Sequence, residues 1–279
     1  MTPFGTRLRA ATAARGPLCV GIDPHPALLA AWGLDDDAEG LERFTMTAVE
    51  ALGSQVATLK PQSAFFERHG SRGVAVLERG IAAARALGAL VVLDVKRGDI
   101  GSTMEAYADA YLDPASPLAV DALTLSPFLG LGSLEPAFAR AAEHGGGVFV
   151  LALTSNAEGR EVQHARNDAG RSVAGAVLEG LRSRNAAAFA DQPLGSYGAV
   201  VGATIGGTEE DLAIGGPLLV PGIGAQGGTV DSVRTVFGRA VADVLPSISR
   251  EVLAAGPDAT ALTDAAARAA SIFAALATR

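Results

Sequence analysis

The segment LDVKRGD (residues 93–99) carries charges of both signs at the end of an apolar run. Asp94 and Lys96 are two positions apart, so both point to the same face of an extended strand. Charges buried in a protein are costly unless they are paired, and Lys60 and Asp23, at the ends of two earlier apolar runs, can supply partners. Carboxylates and ammonium groups that alternate keep one another ionised. The set therefore predicts a lysine that donates a proton, because a Schiff-base lysine needs a neutral amine.

The same segment also permits a structural interpretation. In that interpretation the charges only pair with one another at a strand end, and Gly98 provides a tight turn. A functional cluster differs from such pairs because several ionisable side chains from different elements meet at one position. We therefore ask which elements would bring Lys60 and Asp23 to Asp94.

A glycine-rich segment, PGIGAQGG (residues 221–228), is the second candidate site. Glycines let backbone N–H groups approach an anion closely, and a helix that begins near residue 229 would direct its positive end toward that anion. Arg250, which follows the last apolar run, could add a bidentate contact. The alternative is a glycine-rich turn with no ligand.

Short apolar runs alternate with longer alanine-rich runs along the whole chain. We predict strands at residues 18–22, 55–60, 90–96, 118–125, 147–153, 197–204, 217–221 and 241–248. We predict helices at residues 39–52, 73–87, 103–111, 134–143, 170–190, 208–212, 229–236 and 258–277. Eight such units in 279 residues favour a single (β/α)8 TIM barrel that fills residues 1–279 as one domain. The alternative is an open, doubly wound sheet with two domains.

In a (β/α)8 barrel the active site lies where the strands end and the βα loops begin. Asp23, Lys60, Lys96 and Arg250 all fall at such ends. The loops after strands seven and eight are also the usual phosphate site of this architecture. The predicted fold thus brings both candidate sites to one mouth.

Composition limits the classes of function. The net charge of −8 argues against a nucleic-acid surface, although a small anionic substrate remains compatible with it. Cys19 is the only cysteine, which excludes an internal disulfide and favours a reducing, cytoplasmic location. We recognise no secretory signal, and no apolar run is long enough for a membrane span. Four scattered histidines and the lack of HExxH or CxxC spacing predict no transition-metal site.

Several segments together resemble orotidine 5′-phosphate decarboxylases. LDVKRGDIGST (residues 93–103) is similar to the extended DxKxxD signature of that family. LCVGIDPH (18–25), ALTSNAEG (152–159) and PGIGAQGG are similar to its strands one, five and seven. LKPQSAFFERHG (59–70) and LPSISREVL (245–253) resemble the bacterial subgroup with longer loops. The resemblance spans nearly the whole chain.

The resemblance implies a cofactor-independent decarboxylase that converts a pyrimidine nucleotide, orotidine 5′-phosphate, to UMP in pyrimidine biosynthesis, with no metal. Lys96 would deliver the proton to C6, with Asp94 against the substrate carboxylate. The resemblance also implies ribose contacts from Lys60 and Asp23 and a pyrimidine contact from Ser155. It implies phosphate contacts from Gln226, Gly227 and an arginine. The segment FGR (residues 237–239) looks like the family's phosphate-arginine segment, but we prefer Arg250 over Arg239 because Arg250 follows the last apolar run and Arg239 precedes it. Asp99, with Ile100 and Thr103, would reach across a dimer interface into the neighbouring subunit's site.

Three alternatives remain open at this stage. A sugar-phosphate decarboxylase of the same barrel superfamily shares the DxKxxD pattern and would use Mg²⁺. A Schiff-base aldolase would use Lys60 or Lys96 as its nucleophile, although the flanking carboxylates disfavour it. A non-catalytic barrel that binds a phosphorylated ligand would need only the glycine-rich loop and an arginine.

Overall fold

Eight parallel strands form a closed barrel, in which each strand pairs with the next along the chain and β8 pairs with β1. The structure is a computed structural model and describes residues 1–223 and 227–277. The strands are β1 (Cys19–Ile22), β2 (Thr58–Pro61), β3 (Leu90–Arg97), β4 (Ala122–Leu125), β5 (Gly147–Leu153), β6 (Tyr197–Val201), β7 (Leu218–Val220) and β8 (Val244–Ile248). The predicted (β/α)8 TIM barrel is therefore confirmed.

Helices cover the outside of the barrel, as expected for parallel strands buried on both faces. The helices of the described residues are α1 (Phe4–Arg15), α2 (Pro26–Ala31), α3 (Ala38–Leu52), α4 (Ser63–Glu67), α5 (Gly70–Ala86), α6 (Gly101–Leu112), α7 (Glu135–His144), α8 (Arg160–Gln163), α9 (Val173–Ala188), α10 (Val230–Phe237), α11 (Arg250–Leu253) and α12 (Ala259–Ala277). Among the described residues, no helix combines the length and the apolar composition that a membrane span requires.

The predicted helix at residues 208–212 is wrong. Residues 202–217, all of which the structure describes, contain no helix. A helix of five residues gains few internal hydrogen bonds for its nucleation cost. Its acidic residues instead bind other elements: Glu210 accepts a hydrogen bond of 2.5 Å from Ser172, and Asp211 pairs with Arg182 at 3.0 Å.

Strand ends also differ from the prediction. The predicted strand at 118–125 begins only at Ala122, and the predicted strand at 241–248 begins only at Val244. Residues Gly238–Asp243 form a 3₁₀ helix instead, and Arg9 binds the Ala242 carbonyl there at 2.8 Å. The apolar runs predicted that these strands exist but not the residue at which the hydrogen bonding of each strand to its neighbours begins.

The N-terminal helix α1 closes the end of the barrel at which the strands begin. The Phe4 and Leu8 side chains are buried in a cluster inside the barrel. The Phe4 ring meets the Phe149 ring edge to face, with centroids 5.9 Å apart. The sequence of α1 has no clear apolar stripe, so the hydrophobic pattern does not predict this helix. The predicted site residues lie at the opposite end, which α1 does not cover.

The alternation of side chains along β3 directs Asp94 into the barrel. Leu90 and Val92 belong to the inner cluster, whereas Val91 and Leu93 pack against the outer helices. Continuing this period of two places Asp94 on the inner face, at the end where β3 leaves the barrel. The inner positions therefore change from apolar to charged along one strand.

Candidate active site

The Asp94 carboxylate lies at the centre of the barrel mouth and accepts four hydrogen bonds. Its Oδ1 accepts from Lys96 Nζ at 2.6 Å and from Thr124 Oγ1 at 2.8 Å. Its Oδ2 accepts from Lys60 Nζ at 3.1 Å and from Gln62 Nε2 at 3.0 Å. A carboxylate offers about four lone-pair positions, so this group is saturated by the protein.

Charge pairing fixes the ionisation of this buried group. Burial alone would raise the pKa of the Asp94 carboxyl, but the ammonium groups of Lys60 and Lys96 outweigh it and hold the pKa well below its usual range. Burial alone would likewise lower the pKa of the Lys60 amine, and Asp94 and Asp23 outweigh it and raise that pKa. Lys60 therefore stays an ammonium and Asp94 a carboxylate near neutral pH.

Lys96 has an unusual backbone. Its φ of 46° makes it the one non-glycine residue with positive φ among the described residues. The register between β3 and β4 shifts between Leu93 and Arg97, so Lys96 lies in an irregular part of the ladder. Strained backbone of this kind concentrates at functional sites. The Lys96 side chain is 44% exposed, in contrast to the buried Lys60.

Lys60 and Lys96 are the only two lysines of the 279 residues, and every other basic side chain except histidine is arginine. An arginine cannot give up its proton in a protein, whereas a lysine can. The chain thus uses lysine only where two ammonium groups meet one buried carboxylate.

Two cavities open at this mouth and share Asp23. The first, of about 470 Å³, is lined by Asp23, Gln62, Asp94 and Lys96 among others, and we call it the Asp94 cavity. The second, of about 160 Å³, is lined by Asp23, Lys60, Gly222, Ser249 and Arg250 among others, and we call it the Arg250 cavity. An elongated ligand could therefore lie across both.

Of the two proposed phosphate contacts that the structure describes, Arg250 lines the Arg250 cavity and Gly227 does not. Gly222 lines it with a φ of 90°, a conformation that strongly favours glycine. Gly227 also has positive φ and is exposed, while Gln226 lies outside the described residues. Arg239 precedes β8 and pairs with Asp211, and its side chain is 73% exposed. Of the two arginines, Arg250 is the one at the cavity.

The residues after Lys96 lie on the rim of the mouth. Gly98 must be glycine, because an added Cβ would come within 2.3 Å of the Ser126 carbonyl oxygen. Asp99 accepts a hydrogen bond of 2.8 Å from the Ile100 N–H, and Ile100 is 62% exposed. Thr103 is exposed in the first turn of α6. None of Asp99, Ile100 and Thr103 is among the described residues that line the two cavities.

Ser155 has a similar position on another side of the mouth. It follows β5, and its side chain is exposed. Its backbone N would lie 3.2 Å from a Cβ added at Gly202, which shows that the loops after β5 and β6 are adjacent. Ser155 does not line either of the two cavities in the described part of the chain.

Sequence reasoning missed three polar residues of the site. Gln62 is two positions after Lys60, and Thr124 is two after the inward Ala122, so a period of two could have indicated both. The Ser249 Oγ is buried without a hydrogen-bond partner among the described residues, as is Asp23 Oδ1. Ser249 immediately precedes Arg250, but an exposed serine and a buried one look alike in a sequence.

Comparison with known proteins shows the family to which the chain belongs. Residues 16–265 match the model of the orotidine 5′-phosphate decarboxylase / HUMPS family. The chain belongs to this family. An orotidine 5′-phosphate decarboxylase of Salinispora arenicola is 65% identical over 269 residues, which are 96% of each chain. One from a Nocardioides species is 67% identical over 256 residues, which are 91% of this chain and 92% of the relative.

Solved structures of the family have the same fold. A crystal structure from Streptomyces avermitilis, assigned as an orotidine 5′-phosphate decarboxylase, superimposes with a TM-score of 0.95 at 60% identity and covers 99% of this chain and 96% of its own. The orotidine 5′-monophosphate decarboxylase of Leishmania donovani has a TM-score of 0.75 at 29% identity and covers 99% of both chains. The sequence resemblance to the family is thus confirmed.

The pairing of Asp94 predicts how stability depends on pH. Because its folded-state pKa is lowered, Asp94 adds stability that is complete above its ordinary pKa of about 4 and is lost as the pH falls below it. Wild type should unfold at higher urea concentration than Asp94→Asn at pH 7, since the variant leaves two ammonium groups without their counter-ion. The difference should shrink between about pH 4 and pH 2. A difference that does not change with pH would contradict the assigned ionisation.

Proposed function

We propose that the chain catalyses the decarboxylation of orotidine 5′-phosphate to UMP. The observation that carries the proposal is the network in which Lys60 and Lys96 both pair with Asp94 at the mouth of the barrel, with Lys96 as its exposed member. The two relatives that are 65% and 67% identical to the chain are named for this activity. The cavities on both sides of Asp23 give a ligand with a base, a ribose and a phosphate room to lie across the mouth.

The reaction needs a charge arrangement more than a nucleophile. The bond between C6 and the carboxylate breaks, CO₂ leaves, and the electron pair remains on C6. The Lys96 ammonium stabilises this developing charge and then transfers a proton to C6, after which the neutral amine regains a proton from solvent. Preorganised charge of this kind requires no rearrangement during the reaction.

Asp94 would act through its charge rather than through a hydrogen bond to substrate. All four of its acceptor positions are occupied by protein donors, and its lowered pKa prevents it from sharing a proton with the substrate carboxylate. A fixed negative charge beside the departing carboxylate disfavours the bound substrate relative to neutral CO₂. The phosphate, distant from C6, supplies the binding energy that offsets this repulsion.

The other predicted contacts complete the ligand site in this proposal. Arg250, Gly227 and Gln226 hold the phosphate, Asp23 and Lys60 hold ribose hydroxyls, and Ser155 contacts the pyrimidine. Asp23 Oδ1 supports its assigned ribose contact. Among the described residues this buried acceptor has no hydrogen-bond partner, so it is available to a ligand hydroxyl.

The alternative reactions fit the site less well. A Schiff-base mechanism at Lys60 needs a neutral amine, and the raised pKa of Lys60 works against it. The family description includes more than one activity, but the relatives that are 65% and 67% identical are both named orotidine 5′-phosphate decarboxylase. A barrel that only binds phosphate would not need the paired lysines.

We further propose a homodimer in which the rim after β3 contacts the partner subunit, so that Asp99 completes the partner's site. Exposed apolar side chains support this surface. Ile100 follows β3, and Phe128 and Leu129, which are 76% and 53% exposed, follow the neighbouring β4. A backbone hydrogen bond of 2.7 Å from Ser126 to the Arg97 carbonyl holds the two loops together. A cytoplasmic location stays a prediction.

The function is tested by the loss of ultraviolet absorbance of orotidine 5′-phosphate. We expect turnover by the wild-type chain to be unchanged by EDTA, since the charges that act on substrate come from lysines. Lys96→Ala should lose turnover and keep its circular dichroism spectrum, because it removes the proton donor and no buried packing. Near-normal kcat in a folded Lys96→Ala, or a wild type inactive on this substrate, would refute the proposal.

A pair of arginine variants tests the orientation of the ligand. Arg250→Ala should raise KM and lower kcat/KM, because a charged hydrogen bond to phosphate contributes about 1.5–3 kcal/mol, or roughly a tenfold to hundredfold change. Arg239→Ala serves as the matched control and should change either constant little. The reverse order of effects would place the phosphate at Arg239.

The shared site is tested by mixing two inactive variants. Lys96→Ala and Asp99→Ala homodimers each lack one component in both sites, whereas a mixed dimer has one complete site. Random mixing should therefore restore about one quarter of wild-type activity, because half of the dimers are mixed and half of their sites are complete. Activity equal to the sum of the separate variants would exclude a contribution of Asp99 to the partner's site.

A further inference from the structure

Thr124 makes three hydrogen bonds, two of them to Asp94 and Lys96, on which the reaction depends, and one to Val95. Its Oγ1 accepts from the backbone N–H of Val95 at 3.0 Å and of Lys96 at 2.9 Å. The same hydroxyl donates to Asp94 Oδ1 at 2.8 Å. A threonine hydroxyl has one proton and two lone pairs, so all of its capacity is used.

This arrangement leaves the hydroxyl one orientation. Two N–H groups can only donate, which forces the hydroxyl proton toward Asp94. Thr124 is buried at an inner position of β4 and does not line either cavity among the described residues. Thr124 therefore does not contact a ligand in these cavities, and it can affect the reaction only through Asp94 and Lys96.

The irregular backbone of Lys96 depends on this oxygen. Where the β3 and β4 register shifts, the amides of Val95 and Lys96 both turn to the Thr124 hydroxyl instead of a β4 carbonyl. Buried amides without a partner are costly, so the hydroxyl offsets the strain of the positive φ at Lys96. A regular strand would direct the Lys96 side chain differently.

We propose that Thr124 is a positioning residue that sets the Lys96 ammonium for proton transfer. One oxygen holds the Lys96 main chain, and its proton holds the Asp94 oxygen that the Lys96 Nζ contacts at 2.6 Å. Thr124 thus fixes both ends of the Lys96 side chain. The inference rests on the proposed decarboxylation, because it assigns Thr124 a part in that reaction.

Three substitutions at Thr124 form a graded test. Valine has nearly the same shape as threonine without the hydroxyl, serine keeps the hydroxyl, and cysteine replaces it with a weak hydrogen-bonding thiol. Thr124→Val should lower kcat about 100-fold, as misplacement of a reacting group by about 1 Å does, and change KM little. Thr124→Ser should retain most of kcat, and Thr124→Cys should fall between the two.

Thr45→Val is the matched control, because Thr45 is also buried and donates to a backbone carbonyl, that of Leu41 at 2.7 Å in α3. It should keep wild-type kcat even if its stability falls. If Thr124→Val does not fold, the serine and cysteine variants still give the comparison. Equal kcat in Thr124→Val and Thr45→Val, or equal losses in Thr124→Val and Thr124→Ser, would overturn the proposal.

Crystal structures separate this inference from the proposed function. Wild type is compared with Thr124→Val, or with Thr124→Cys if the valine variant does not fold. We expect φ at residue 96 to leave the positive region, or the Lys96 Nζ to move away from Asp94 Oδ1. Unchanged geometry would overturn the role of Thr124 whatever reaction the chain catalyses. A wild type inactive on orotidine 5′-phosphate would instead refute the reaction and leave the structural comparison to decide what positions Lys96.

Discussion

The site depends on the four hydrogen bonds that the buried Asp94 carboxylate accepts. An ionised Asp94 at the end of a barrel strand would be strongly destabilising without partners. The protein supplies four donors. The ammonium groups come from Lys60 in β2 and Lys96 in β3, the amide from Gln62 directly after β2, and the hydroxyl from Thr124 in β4. Each of these elements must hold its register for the set to close, so the site and the barrel stabilise each other.

The barrel also separates stability from chemistry along its axis. The strands begin over α1, where Phe4 and Leu8 fill the interior with apolar side chains. The same strands end in charged and hydroxyl groups, and some of these, such as Asp23 Oδ1 and Ser249 Oγ, have no partner among the described residues. Unpaired buried polar atoms cost free energy. A ligand with hydroxyl and phosphate groups would recover that cost at one end of the molecule only.

Much of this arrangement was predictable from the sequence because it follows from strand periodicity. The eight strands, the inward direction of Asp94 and the position of Arg250 after β8 all come from apolar runs and their ends. Helix α1 was missed because its buried face consists of few residues, and the helix at 208–212 was wrong because tertiary ion pairs of Asp211 replaced it.

The positive φ of Lys96 could not be predicted, since it arises from a register shift between two strands and from the hydroxyl of Thr124. Local sequence contains neither partner strand. The roles of Asp99, Ile100, Thr103 and Ser155 were not derivable from the residues either. They came from the resemblance to the family, and the isolated chain places them on the rim rather than in the cavities.

The restriction of lysine to this site has a chemical consequence for the whole molecule. Apart from the amino terminus, the chain presents two primary amines to any acylating or carbonyl reagent, and one of them, Lys60, is buried under Asp94. Lys96 is the remaining accessible ε-amine. Amine-directed labelling, cross-linking or surface immobilisation therefore targets the mouth of the barrel besides the amino terminus, and a bound ligand would shield Lys96. Coupling through the surface carboxylates avoids Lys96, if the protein's own amines are kept from reacting with the activated carboxylates.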